Sequence, residues 1–205
     1  MASVHNPSSV SQPILAPNEV LWRLSVAQYH EMIRASILTE DDPIELLEGL
    51  LIHKMPENPP HRMATHLTSE ALRAVIPEGW YVDSQEPITL EDSEPEPDIC
   101  IIRGNTRDYA DRNPFAQDLA LVIKVADSTL ERDRETKRRI YARAGIPVYW
   151  IVNLVDQCLE VYTNPTGPIQ EPDYQQTQIL SASDSVPLLI EGREIAQIAV
   201  RNLLP

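Results

Sequence analysis

Residues 119–152 constrain the fold more than any other stretch. Leu119 to Ala126 is an apolar run broken once, by Lys124; Thr129 to Ala144 has helical spacing and is closed by Gly145; Val148 to Val152 is apolar again. A strand this apolar needs cover on both faces. Strand, helix, strand in that order makes the two strands parallel with a right-handed crossover. A short polar turn then leads into residues 159–162, near enough to return antiparallel. The chain is therefore expected to build a mixed sheet with helices on its faces, an α/β architecture.

The flanking segments fit around that unit. Ser25 reads as the N-cap of a helix over residues 26–37, and Pro59-Pro60 opens a second over 61–76 with Ala64, Leu67, Thr68, Ala71 and Val75 on one face. Residues 44–55 read as a strand pair or as one long strand with a turn at Glu48-Gly49, and 80–90 and 97–103 as further strands. Ile99 and Ile101 share one face of the latter, Cys100 and Ile102 the other. A loop is expected over 163–175 and a short helix from Glu194. Residues 1–19, rich in Ser, Pro and Asn, read as a flexible tail, leaving 20–205 as one domain.

Composition narrows the function. The net charge of −14 argues against a broad basic face for nucleic acid or an anionic membrane, and predicts DNA binding that is weak and steeply salt-dependent. A metal-dependent nuclease remains open, because its site is itself acidic. Two cysteines, Cys100 and Cys158, both in apolar runs, cannot make a disulfide framework or a zinc cluster. The sequence carries no secretory signal and no apolar run of about 20 residues, so a cytoplasmic protein away from membranes is expected. Motifs of serine hydrolases, phosphate loops, zincins and dinucleotide folds are missing.

Four charged residues stand where a purely structural domain would not put them. Asp98 shares a strand face with Cys100 and Ile102, and Lys124 sits inside the most apolar strand. An unpaired buried ammonium costs several kcal/mol. Lysine is scarce here, three against fourteen arginines, so Lys124 is not surface filler. On the following helix Asp133 and Lys137 fall with Leu130, Ile140, Tyr141 and Ala144 in one arc of roughly 120°. They read either as an i,i+4 ion pair at the stripe's edge or as an acid and a lysine aimed at a site. The remaining polar residues have plainer readings: His61 as a cap-region or half-buried histidine, His66 as solvated, Glu48 at a turn, Glu86 within an acidic loop.

Taken in order, Glu94-Pro-Glu-Pro-Asp98, residues 121–129, Asp133, Lys137, Tyr141 and residues 144–153 resemble a bacterial restriction endonuclease family, formerly a domain of unknown function, placed among the PD-(D/E)XK nucleases. The likeness extends to Glu48-Gly49, to Lys54 through His61 and to Gly79-Trp-Tyr-Val, about residues 20–165 in all. It implies a restriction-endonuclease-like fold and Mg²⁺- or Mn²⁺-dependent hydrolysis of DNA, and it allows a homodimer without demanding one. Its aspartate matches Asp98. Its second acid would fall at Lys124 and its lysine at Ala126, so Lys137 becomes the stand-in, with Asp133 beside it and Glu48 or Glu86 as compensating metal ligands. The Lys124 amine could instead occupy the cation's place and pair with Asp98. Two readings follow: an endonuclease weakened by Lys124, or a catalytically dead nuclease fold serving as a binding or oligomerisation module.

Overall fold

The computed structural model describes residues 20–39 and 41–205; the tail expected over 1–19 lies outside them. Helix α1 (Val26–Arg34) starts at Ser25, whose side chain and Gln28 form a reciprocal capping box. Strands β1 (Ile44–Leu47) and β2 (Leu50–His53) make a hairpin, and α2 (Pro59–Arg73) is capped by Asn58. The main sheet follows: β3 (Trp80–Ser84), β4 (Ile99–Arg103), β5 (Leu119–Ala126), β6 (Val148–Asn153), β7 (Cys158–Pro165) and β8 (Tyr174–Ser181), in that spatial order. Only β5 and β6 pair in parallel, as the strand–helix–strand pattern requires; every other neighbour is antiparallel.

Side-chain alternation along β4 and β5 divides the core. Ile99, Ile101, Leu121, Ile123 and Val125 face α2, together with Trp150 and Leu159. Cys100, Ile102, Val122 and Ala126 face the crossover helix through Ile140 and Tyr141. Lys124 lies between Val122 and Ala126 in this alternation, so its side chain belongs to the crossover-helix face.

The C-terminus departs from expectation. Residues 185–199 form a second hairpin, β9 (Ser185–Ile190) and β10 (Arg193–Ala199), and only Val200–Asn202 make a short 3₁₀ turn. The apolar residues from Ile195 onward suit either period, but Glu191-Gly192 decides it. Both hairpins turn on Glu-Gly with two successive positive φ values: 48° and 77° at Glu48-Gly49, 50° and 74° at Glu191-Gly192. Paired positive φ matches the twist of a two-residue hairpin. The expected loop over 163–175 is also shorter, since β7 runs to Pro165 and β8 begins at Tyr174.

The first turn has a steric requirement too. A Cβ on Gly49 would lie 2.6 Å from Arg23 Cβ and 2.9 Å from the Leu24 carbonyl oxygen, whereas one on Gly192 meets nothing within 4 Å. Gly49→Ala is expected to lower stability by about 1–3 kcal/mol. Gly192→Ala carries only the φ strain and should lose less; urea denaturation of the two variants makes the comparison.

Candidate active site

Asp98 and Lys124 meet because the β4–β5 register brings them together. Ile99 pairs with Ile123, and the Asp98 N–H donates to the Ile123 carbonyl at 3.1 Å, so one step further Asp98 stands opposite Lys124. Lys124 Nζ lies 3.0 Å from Asp98 Oδ1 and donates to the Glu96 carbonyl at 3.3 Å. The other oxygen, Oδ2, accepts from the Val125 N–H at 2.5 Å. Burial alone would push the Asp98 carboxyl up; the Lys124 ammonium, His61 and the Val125 N–H outweigh it and bring it down to about 2. Burial likewise opposes the charge on Lys124, but Asp98, Asp133 and Glu45 together hold its ammonium above the ordinary lysine value.

The crossover helix supplies Asp133 and Lys137, 1% and 2% exposed. Its middle, Asp133–Lys137, is a π turn in which the Arg138 N–H donates to the Asp133 carbonyl, flanked by α-helical Leu130–Arg132 and Arg138–Arg143. Such π bulges recur at functional sites. The i,i+4 pair does not form. Asp133 accepts from Thr129 Oγ1 at 2.7 Å, while Lys137 Nζ donates to Glu45 of β1. Burial raises the Asp133 carboxyl and, together with the charge of Lys124, lowers the Lys137 ammonium against the pull of Glu45.

From the α2 side comes His61. Asn58 caps this helix by accepting from the His61 N–H at 3.0 Å, and its amide donates to Asp127 at 2.6 Å, which ties the helix start to the end of β5. The imidazole then lies 3.6 Å from Asp98 Oδ1 through Nε2 and 3.8 Å from Glu57 through Nδ1, a buried atom without a hydrogen-bond partner. Burial works against its charge, yet Asp98 and Glu57 raise its pKa above the usual histidine value. These groups line a cavity of about 250 Å³, to which Lys54, bonded to Glu96 at 2.7 Å, also contributes.

Asp98, Lys124, Asp133 and Lys137 therefore share one cavity at the C-terminal end of β5. Glu48 and Glu86 do not line it. Glu48 is turned toward the outer side of the crossover helix, where Arg139 at 2.7 Å and Arg143 at 3.2 Å hold its carboxyl below the ordinary glutamate range. Glu86 follows the end of β3 on an exposed segment that borders a different depression, near Cys100. Sequence reasoning missed Glu45; its reading of His61 as a cap-region, half-buried histidine holds, but the spacing does not show that this side chain stands against Asp98. The signal for Glu45 resembles that for Lys124, a charge among apolar residues of a short strand.

The crossover helix is anchored outside the cavity by Glu160 of β7. This buried carboxylate meets Arg134 at 2.5 Å, Tyr162 OH at 2.6 Å and the Asn153 amide at 2.8 Å. Burial raises its pKa, but these three donors win and lower it below the ordinary value of 4.5. A depressed carboxylate contributes stability that is whole above 4.5 and is lost as pH falls below it. Glu160→Gln is expected to destabilise the protein at pH 7, with a gap to wild type that narrows on acidification below that value. Urea midpoints along a pH series measure it.

A mixed sheet with buried acids and lysines gathered at the end of its central parallel strand defines a restriction-endonuclease-like α/β fold. The sequence profile of the Uma2 family, described as "Putative restriction endonuclease", matches residues 26–200, and the chain belongs to that family. The fold is similar to the crystal structure of "a putative nuclease belonging to DUF820" from Anabaena variabilis ATCC 29413. That similarity has a TM-score of 0.68 at 16% identity and covers 88% of this chain and 97% of that one. Among curated proteins nothing matches the chain. Among the described residues no helix is long and apolar enough to cross a membrane.

Proposed function

We propose that this protein is a DNA endonuclease of the PD-(D/E)XK type, hydrolysing phosphodiester bonds at the Asp98 cavity, with its rate held down by Lys124. Family membership supports the reaction class. The observation that carries the reading is the convergence of Asp98, Lys124, Lys137 and Asp133 in one cavity at the sheet end.

A divalent ion has two places to be tested there. Beside Asp98 Oδ1 the Lys124 ammonium already stands at 3.0 Å, and a dication does not fit the same position. On the other flank Glu57, His61 and Asp98 each offer a donor atom, all within 4.8 Å of one another. That oxygen–nitrogen–oxygen set fits a divalent metal, and the imidazole favours Mn²⁺ over Mg²⁺, which prefers oxygen alone. Bound there, the ion would supply Lewis-acid polarisation of the phosphate and a more acidic water. Lys137 contributes positive charge for the anionic transition state, and the neighbouring Asp133 carboxylate favours its charged form. Glu45 holds Lys137 in place.

The second reading, a catalytically silent nuclease fold that binds rather than cuts, is favoured by one fact. Both Asp98 oxygens are already engaged, by Lys124 and by Val125. Calorimetric titration of Mn²⁺, paired with plasmid nicking in Mg²⁺ or Mn²⁺ and with Asp98→Ala as control, separates the two. Binding and slow nicking that disappear in Asp98→Ala support the endonuclease. Binding and cleavage no greater than in that control leave the silent fold.

A further inference from the structure

The far edge of the sheet carries a feature the cavity does not use. Strand β8 reads Tyr-Gln-Gln-Thr-Gln-Ile-Leu-Ser, eight residues without a charge, in a chain where 23% of residues are charged and the net charge is −14. Among the described residues it pairs with β7 on one side and has no strand on the other. Residues 175–179 are all exposed, Ile179 to 68%. An unpaired edge offers a row of N–H and C=O groups to any second strand, and proteins usually blunt it with lysine, proline, a bulge or a covering element. Strand β8 contains neither lysine nor proline, and its pairing to β7 keeps one register throughout. The opposite edge, β3, is only five residues long, carries Asp83 and packs against α2.

We propose that β8 is a self-association edge, along which two copies of the chain pair antiparallel about a two-fold axis and join their six-stranded sheets into one. The occupant is a second copy because the strand complements itself. Directly opposite residues in a ladder share a face of the sheet, so the axis passes through a residue, Thr177 or Gln178. Through Gln178, Thr177 meets Ile179 and Gln176 meets Leu180. Through Thr177, Gln176 meets Gln178 and Gln175 meets Ile179. Neutral side chains face neutral ones in both registers, and Ile179 gains cover. Elsewhere two copies of charge −14 repel, so an uncharged strip is where their backbones approach most easily. The edge is β5's third neighbour along the sheet, which leaves both cavities open.

Sedimentation velocity of the full chain tests this. The expected species has twice the 23.2 kDa chain mass. Its association should tighten with salt, as repulsion between the copies is screened. Thr177→Lys with Ile179→Lys sets ammonium groups against each other across the axis and is expected to weaken dimerisation at least about tenfold. Met63→Lys, on the exposed side of α2, leaves it unchanged. Thr177→Cys and Gln178→Cys, made singly, give a second readout that does not depend on those lysines: the one on the axis forms a reducible cross-link between copies under mild oxidation, since Cys100 and Cys158 are buried. Wild-type protein that remains at single-chain mass near about 100 µM overturns the proposal. So does a dimer that persists in the double-lysine variant, or one in which neither cysteine variant cross-links.

Discussion

Lys124→Glu is expected to bind Mn²⁺ at least about tenfold more tightly than the wild type, and to cleave DNA faster. Lys124 stands across the β4–β5 ladder from Asp98, with its nitrogen 3.0 Å from Oδ1. Exchanging it for glutamate changes the local charge by two units and provides the second carboxylate that a hard divalent cation requires. Without metal the variant should be worse off. Two buried carboxylates would face each other where an ion pair stood, a change on the order of 3–5 kcal/mol by analogy with other broken buried pairs. Saturating Mn²⁺ should restore much of that loss, so the variant's thermal midpoint rises with metal far more than the wild type's. Lys124→Met is the companion: it removes the ammonium without adding a ligand, and should lose stability without gaining metal affinity. A glutamate variant that binds no more Mn²⁺ than wild type would show that the ammonium is not what keeps metal from this side of Asp98.

The sheet was legible because its signals are local. An apolar strand, a helix closed by Gly145 and another apolar strand leave little choice of topology, and β5 through β7 follow. The Asp98–Lys124 pair was legible only through the resemblance, which sets Lys124 where the family's second acid stands beside the aspartate, together with the rule that a buried ammonium must find a carboxylate. What escaped depends on long-range placement. Glu45 is 92 residues from Lys137, and nothing in the spacing of either reveals that they meet. The inward stripe of the crossover helix was correct, but the π turn that redirects Asp133 and Lys137 toward different partners leaves no mark on hydrophobic periodicity. His61 reads locally as a cap-region residue, and it does lie in the first turn of α2. Only the tie from Asn58 to Asp127 brings that turn against Asp98.

The Lys137–Glu45 pair should show the largest coupling in the molecule. Both side chains are almost wholly buried, one on the crossover helix and the other on β1, with Nζ donating to Oε2. Removing either partner strands the other charge in the interior. Glu45→Leu and Lys137→Met are therefore each expected to destabilise the fold by about 3–5 kcal/mol. The double variant replaces the pair with apolar groups of similar size and should recover most of the loss. Its recovery will be incomplete, because Glu45 Oε2 also accepts from the Glu96 N–H at 3.3 Å. A coupling energy of about 2–3 kcal/mol from the four urea curves is expected. Values near zero would mean that Lys137 is neutral in the folded protein, the direction in which burial and the charge of Lys124 push it. The double variant also separates structure from chemistry: folded but lacking the Lys137 charge, it should have lost cleavage if that ammonium stabilises the transition state. A double variant that is stable and still cleaves at the wild-type rate would assign Lys137 to the fold alone and leave Asp98 as the residue on which cleavage rests.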